Sequence, residues 1–409
     1  MKCITFFGVI LITLFIYSCN HKPFTERIDD RTEIVQLNNS HFVSLNMALQ
    51  IAQKQKSPLD KSSTIEEYYE FKKNGDLAEF YIINYCKSGF AIISADDRLN
   101  PVLAYSEKTH FPLRDSNRPY GVTDWLNSTS ALIDSIRNNK MGQDIFAKHN
   151  WKSARIGNNN LKSEVISSST SPNYSIIYEY GEGYDQDNCG YEGQVIAEYY
   201  VNVSPLLTTT WGQFDGYNDS IPYGACGTTN HNYPVGCAPV AVGQVMNFNR
   251  YPSSFNWNSI NAGGVATNVF LRDLGLPANL NVQYSCNGSS VTTDTVISYL
   301  QSVGYTYTAG TNTNDVSLIT SNLSYSHPVI ISGGGHMWVC DGIQSYHDVV
   351  CFVSGACYDT RDNINMNKQF LHMNWGYNSL YDGWYSIWDF TPGANDYNPD
   401  RAFIYDIRY

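Results

Sequence analysis

The segment from Val235 to Phe248 limits the possible folds of this chain most strongly, because it predicts a buried helix with a thiol at its first position. Gly236 allows loop and helix to approach closely, and Pro239 is tolerated only in the first turn of a helix. The apolar residues that follow recur at helical spacing. The helix therefore begins at Cys237, where its dipole and free N–H groups favour the nucleophilic thiolate. The alternative is a buried cysteine that packs as a small hydrophobe.

A histidine stands where two further predicted strands meet. Residues 327–332 form an apolar strand, Gly333 to Gly335 follow, and His336 begins the second strand. The glycines leave space beside His336 for a substrate backbone, so Gly334 and Gly335 are candidate substrate-binding residues. A cysteine at a helix start and a distant histidine form the pattern of nucleophilic Cys/His catalysis. The alternative is a capping or core histidine, and the competing histidines, which glycines do not frame, are His231, His347 and His372.

Two more sites complete the candidate set. Residues 370–377 and 381–387 predict adjacent strands, with Asn374 and Trp375 at the bend. An asparagine or an indole beside an imidazolium can orient it and shield it from water, although aromatic residues in hairpins usually only pack. Upstream, an extended run ends at Gln213. Its amide could donate to an oxyanion together with the Cys237 backbone N–H, and the alternative is a surface amide.

The first residues predict a targeting segment. Lys2 supplies a short positive region, and the apolar run from Ile4 to Tyr17 is too short to span a bilayer comfortably. Ser18 before Cys19 resembles a bacterial lipobox, so Cys19 is the predicted lipidated first residue of the mature protein. The alternative is secretory cleavage that discards Cys19. We expect export, either to the outer membrane or periplasm as a lipoprotein or to the extracellular medium.

Composition and cysteine usage narrow the function classes. The 409 residues carry a formal net charge of −12, so the chain has no basic stripe for nucleic acid. Because no CxxC pair occurs, we expect no zinc site, and we expect no organic cofactor. Seven of the ten cysteines follow residue 180. That number is odd, so at least one thiol stays free if the others pair among themselves.

The first half of the chain predicts a separate α+β unit. Helices are expected over 42–54 and 122–138, and strands over 78–86 and 90–94. A polar stretch rich in Asn and Ser then predicts a linker, where proteases cut. The chain is therefore divided into a signal segment (1–19), the α+β unit (40–150), a linker and processing region (151–202) and a second domain (203–409).

Four motifs, in this order, resemble the streptopain family of papain-clan cysteine peptidases in the form found in Bacteroides-like bacteria. They are PLLTTTWGQ, VGCAPVAVGQVMNFNRYP, GGGHMWVCDG, and HMNWGY followed by DGWYSI. The stretch FYIINYCKSGFAIISADDRLNPVLAYSE and the helix after it resemble the inhibitory prosegment of that family. The resemblance implies an α+β fold: a papain-like catalytic domain, with a helical part and an antiparallel β part, preceded by a small α+β inhibitory prodomain.

The resemblance also implies roles for individual residues. Cys237 matches the nucleophile of the family, His336 its general base and Gln213 its oxyanion-hole glutamine. Trp375 matches the indole that stands where other papain-like enzymes use an asparagine, and Asn374 is the neighbouring candidate.

The sequence therefore predicts a cysteine endopeptidase zymogen that acts on proteins or peptides through a Cys-His dyad and is inhibited by its own prosegment. We expect a monomer that contacts the membrane only through a lipid anchor. The family often continues Asn-Trp-Gly with Trp-Gly-Gly, whereas Tyr377-Asn378-Ser379 follow here, which affects substrate preference more than chemistry. Two alternatives stay open: a papain-like cell-wall amidase, and a non-catalytic envelope-binding lipoprotein in which Cys237 is buried or disulfide-bonded.

Overall fold

The structure is a computed structural model that describes most of the chain after its first forty residues. The described residues are 41–54, 64–73, 75–114, 118–143, 145–156, 161–168, 174–181, 195–226, 229–286, 288–311, 316–351, 357–359, 368–386 and 402–409. The predicted signal segment and the lipidation of Cys19 lie outside these ranges. Within them, every helix is too short or too polar to cross a bilayer.

The N-terminal unit is an antiparallel sheet packed against helices. Its strands β1 to β4 pair in chain order. Strands β2 and β3 are buried along their whole length, in keeping with their continuous apolar sequence. The predicted helices and strands of this unit are confirmed. Its elements are α1 (Leu45–Lys54), β1 (Ile65–Phe71), β2 (Phe80–Tyr85), β3 (Phe90–Ser94), β4 (Val102–Ser106), α2 (Tyr120–Asn138) and α3 (Ile145–Ile156).

The region predicted as a linker contains three strands. They are β5 (Leu161–Ser168), β6 (Tyr174–Gly181) and β7 (Val195–Val203), and they form an antiparallel meander. Strand β7 also pairs with a long strand of the second domain, from Val203 opposite Ile343 to Val195 opposite Val350. Pairing satisfies the backbone N–H and C=O groups of these three strands, and composition alone does not reveal which strands pair.

The second domain begins with a helical part. A disulfide between Cys226 and Cys286 ties a short hairpin to a loop. Among the described residues, Cys237 and Cys340 are free thiols, whereas the sequence predicts at least one. The elements are β8 (Tyr223–Cys226), β9 (Thr229–Asn232), α4 (Cys237–Asn249), α5 (Trp257–Asn261), α6 (Val265–Leu274), α7 (Thr293–Ser302), β10 (Thr306–Thr311) and α8 (Val316–Ser324).

The rest of this domain is an antiparallel sheet on which α4 packs. Its strands are β11 (Val329–Gly333), β12 (His336–Cys351), β13 (Cys357–Asp359), β14 (Lys368–Asn374), β15 (Gly383–Ser386) and β16 (Ala402–Arg408). The strand order is β1-β2-β3-β4-β15-β14-β12-β11-β16-β10, so one sheet runs through both units. The junction is the pairing of Tyr105 in β4 with Trp384 in β15. The predicted α+β class, with helical and antiparallel parts, is confirmed.

Candidate active site

The thiol of Cys237 lies at the first position of α4, as predicted. Gly236 precedes it with φ of 98°, in the left-handed region that favours glycine, and a Cβ on it would lie only 3.0 Å from Cβ of Ser289. Burial raises the pKa of the Cys237 thiol, while backbone hydrogen bonds from Met337, Ala238 and Cys237 itself oppose that effect. The nucleophile candidate is therefore a protonated thiol here, placed against the backbone of the residue after His336.

The imidazole of His336 is buried and turned toward Trp375. Its Nε2 lies 3.0 Å from the Trp375 carbonyl oxygen, so Nε2 carries the proton and donates it. Burial lowers the pKa of His336 to about 4, and this hydrogen bond only partly offsets the shift. Among the described residues, the ring makes no hydrogen bond to Cys237. The thiol lies against the backbone of Met337 and the imidazole bonds the Trp375 carbonyl, so the two groups do not form a working pair.

The glycine turn before His336 has the conformation that the sequence predicts. Gly334 and Gly335 have φ of 57° and 75°, and they close the hairpin between β11 and β12. A Cβ on Gly334 would lie 3.3 Å from Cβ of Asp124 in α2. The N-terminal unit thus covers the backbone that the sequence proposes for substrate binding.

Gln213 is held by its main chain next to the segment that leads into Cys237. Its carbonyl oxygen accepts a hydrogen bond of 3.0 Å from the Val235 N–H, two residues before Cys237. The side chain is buried, with 6% of its surface exposed, so it is not the surface amide of the alternative interpretation. The strand-like run that ends at Gln213 and the loop that precedes α4 are therefore held side by side.

Trp375 forms one wall of the site. Its ring lies 5.0 Å from Trp338 and 5.3 Å from Tyr385, while its carbonyl oxygen accepts the hydrogen bond from His336. The Trp375 N–H donates to the Asp382 carboxylate at 2.8 Å. Burial raises the pKa of Asp382 to about 7, against the lowering effect of that hydrogen bond. The residue thus contacts His336 through its backbone and the aromatic core through its indole.

Asn374 points away from His336. Its side chain meets Gln244 of α4 and the carbonyl of Thr209, and all of these groups are buried. Sequence reasoning did not single out Gln244. The available signal was an amide inside an apolar helix seven residues after Cys237, which places both residues on nearly the same face.

The N-terminal unit reaches the site through the start of α2. Gly121 packs so closely that a Cβ on it would lie 2.6 Å from Cζ3 of Trp375 and 3.2 Å from Cδ2 of His336. Nearby, the Trp125 ring lies edge-on to Tyr385 at 5.0 Å. In the loop before α2, Phe111 packs 4.9 Å from Tyr381, and residues 115–117 lie outside the described ranges.

The competing histidines have other surroundings. His231 is exposed on β9, and His372 pairs with the buried Asp341 at 2.6 Å. The side chain of His347 is outside the description. Over the described ranges, no cluster of three or more His, Cys, Asp or Glu residues is arranged to hold a metal ion.

Two family models match the chain in the expected order. The Spi protease inhibitor model matches residues 40–133, which include Gly121, and the Peptidase C10 family model matches residues 264–385, which include His336 and Trp375. Cys237 and Gln213 lie before the second match.

Two kinds of precursor protein, streptopain and prointerpain A, are similar to this chain over most of its length. Streptopain of Streptococcus pyogenes is 20% identical over 367 residues, which cover 78% of this chain and 76% of the relative, and serotype M1 streptopain matches over the same extent. The structure of a fragment of prointerpain A from Prevotella intermedia matches with a TM-score of 0.51 and 20% identity, over 84% of this chain and 98% of that one.

Fold and site together are those of a papain-like cysteine peptidase held in a precursor form. The two family models, streptopain and prointerpain A together support a streptopain-family precursor, a zymogen of a cysteine endopeptidase with an inhibitory prosegment. The matches give no support to the cell-wall amidase or to the non-catalytic lipoprotein.

Proposed function

We propose that Cys237 and His336 form the catalytic dyad of this peptidase, and that the prosegment keeps them apart until it is removed. The contact of Gly121 with the His336 ring carries this proposal, because it ties the inhibitory unit to the general base itself. Departure of α2 removes the atoms that cover the imidazole. Cys237 lies beside the backbone of Met337, the residue that follows His336. Once it is uncovered, the His336 ring can turn toward the thiol.

In the active enzyme, His336 takes the proton of the Cys237 thiol, and the resulting thiolate attacks a peptide carbonyl carbon. The imidazolium then gives that proton to the leaving amine as the C–N bond breaks. Water next attacks the thioester, with His336 as the base, and releases the second product with the free thiol. Exposure of the site to solvent lowers the desolvation cost of the ion pair between the Cys237 thiolate and the His336 imidazolium. Removal of the prosegment therefore favours formation of the thiolate.

Gln213 supplies electrostatic stabilisation in this scheme. Its amide and the Cys237 N–H donate to the oxyanion of the tetrahedral intermediate, and one such donor contributes about 3 kcal/mol. The hydrogen bond from Val235 to the Gln213 carbonyl supports this assignment, since it fixes the two donors relative to one another. Trp375 forms a wall of the site and holds the imidazole through its backbone carbonyl, and Asn374 has the separate role argued below.

The substrates are proteins or peptides, and the prosegment residues 40–150 act as an intramolecular inhibitor of a monomeric enzyme. We further propose export with a lipid on Cys19, which rests on the apolar run from Ile4 to Tyr17 and the small residue before the cysteine. Mass spectrometry of the N-terminal peptide tests the anchor. A diacylated Cys19 supports it, and a mature chain that begins after Cys19 overturns it.

The catalytic assignment is tested with purified precursor. Wild-type and Cys237→Ala chains are incubated, new N-termini are sequenced, and hydrolysis of a peptide substrate is followed. We expect the wild type to be cut between Lys152 and Val203 and to gain activity, while the variant stays whole and inactive but folded. Self-processing of the pure Cys237→Ala chain would overturn the assignment.

A further inference from the structure

We propose that Gln244 and Asn374 are positioning residues: a buried amide pair that holds the nucleophile helix, the segment carrying Gln213 and the strand end carrying Trp375 in one arrangement. The proposal deepens the catalytic assignment above and rests on it. The hydrogen bonds of the two side chains go to Trp211, Thr209, Gly376 and each other, so their effect on catalysis is exerted through the segments that they join.

Gln244 connects α4 with the oxyanion segment. Its Oε1 accepts the Trp211 N–H at 3.2 Å, two residues before Gln213, and its Nε2 donates to Oδ1 of Asn374 at 3.0 Å. Only 1% of Gln244 is exposed. A buried amide without partners would carry a desolvation penalty, so these hydrogen bonds strongly favour one position of the helix relative to both neighbours.

Asn374 connects β14 with the same elements. Its Nδ2 donates to the Thr209 carbonyl at 2.8 Å and lies 3.3 Å from Oε1 of Gln244, while its Oδ1 also accepts the Gly376 N–H at 3.3 Å. Two donors and two acceptor positions are all that an asparagine amide offers. The four interactions, two from Nδ2 and two to Oδ1, therefore use its full capacity.

A saturated amide has no group left for the imidazole. The family resemblance makes Asn374 a candidate to orient His336. Its hydrogen bonds go instead to Gln244 of α4 and to the Thr209 carbonyl. The His336 ring meets the next residue, Trp375, through its carbonyl. Asn374 thus sets the position of the Trp375 backbone and not the tautomer of the imidazole.

Such an arrangement predicts a particular kinetic effect. Loss of the pair lets the oxyanion donor and the Trp375 wall drift relative to Cys237, while the substrate-binding surface is unchanged. A displacement of about 1 Å caused by a change away from the chemistry can lower the rate by up to about a hundredfold. We expect Gln244→Met, which preserves the volume but removes all three hydrogen bonds of the amide, to lower kcat at least tenfold with KM within twofold.

The experiment uses enzyme matured from full-length precursor, with kcat expressed per alkylated Cys237 so that misfolded chains are not counted. Asn247→Leu is the matched control: Asn247 lies on the same helix and bonds Asn261 at 3.0 Å, away from the site. We expect it to lower the melting temperature without changing kcat per titrated thiol. A Gln244→Met enzyme with kcat within twofold of wild type would overturn the proposal.

A second variant decides the question if Gln244→Met does not fold. Gln244→Glu keeps the acceptor for the Trp211 N–H, and its protonated carboxyl can donate to Asn374, whereas the ionised form cannot. The ratio of its kcat to that of the wild type should rise as the pH falls; a ratio independent of pH would contradict the positioning role. Failure of the catalytic assignment is distinguishable, because Cys237→Ala would then remain active.

Discussion

Gly121 is the point at which the prosegment reaches His336, the proposed general base, so its replacement by alanine should weaken latency. The added Cβ would lie 2.6 Å from Cζ3 of Trp375, closer than real Cβ contacts. Trp375 is 1% exposed and is held between Trp338 and Tyr385, so it has little room to yield. The clash exists only in the closed precursor, because in the free prosegment this face of α2 meets no tryptophan.

The size of the effect follows from the cost of overpacking. Forcing one extra methyl group into a well-packed site costs about 1–3 kcal/mol, and about 1.4 kcal/mol corresponds to a tenfold change in binding. We therefore expect the prosegment with Gly121→Ala to inhibit roughly 10- to 100-fold more weakly. The free prosegment should not lose stability, since alanine is favoured over glycine within a helix.

The assay titrates residues 40–150, with and without the substitution, against mature enzyme on a peptide substrate. The precursor carrying Gly121→Ala should also mature with a shorter lag. Gly142→Ala is the control, because a Cβ there has no atom within 4 Å. If the Gly121→Ala prosegment melts normally and inhibits within twofold of the wild type, the contact with His336 is not part of latency.

Further predictions concern the same cleft. Gln213→Ala should lower kcat about 10²–10³-fold with little change in KM, as expected for one lost oxyanion donor; an effect on KM alone would make it a substrate contact. Trp375→Ala should slow turnover by exposing His336, and a normal rate with reduced stability would leave packing as its role. The wild-type prosegment should inhibit mature enzyme in trans, and no inhibition at tenfold excess would contradict its assignment. Acid should weaken the complex between the prosegment and the mature enzyme. Burial in the precursor lowers the pKa of His336 from its ordinary 6.5 to about 4, so the covered ring must stay neutral. The stabilisation of the complex that is present above pH 6.5 is therefore lost as the pH falls toward 4, because the free enzyme binds a proton that the complex excludes. From pH 7.5 to 5.5, binding of the prosegment to a Cys237→Ala mature domain should weaken about tenfold, whereas equal binding at both values would refute the linkage.

The elements that carry the candidate dyad follow from local sequence. Gly236 and Pro239 allow a helix to begin between them, and the glycines before His336 allow a tight turn into β12, whatever the rest of the chain does. These are short-range steric effects, so the helix start at Cys237 and the strand start at His336 are both predicted correctly. The strands and helices of the N-terminal unit follow from apolar periodicity in the same way.

The polar region after that unit shows where such reasoning fails. The Asn- and Ser-rich stretch from Lys152 to Ser175 predicts a linker, yet β5 lies within it and β6 begins at its end, and β7 beyond it pairs with β12. The pairing depends on the backbone N–H and C=O groups of β12, a strand more than a hundred residues later in the chain. Side-chain composition carries no information about that partner, because the hydrogen bonds are made by the main chain.

Residue types and spacing in the sequence alone determined which groups could react: a thiol at a helix start, an imidazole at a strand start and an amide upstream. Only the tertiary structure decided their state. The His336 ring donates to Trp375 instead of meeting the thiol, Gly121 lies over it, and Gln244 bonds Asn374 across 130 residues of chain. These contacts join segments whose local sequences are compatible with many partners, and burial in one shared core selects among them.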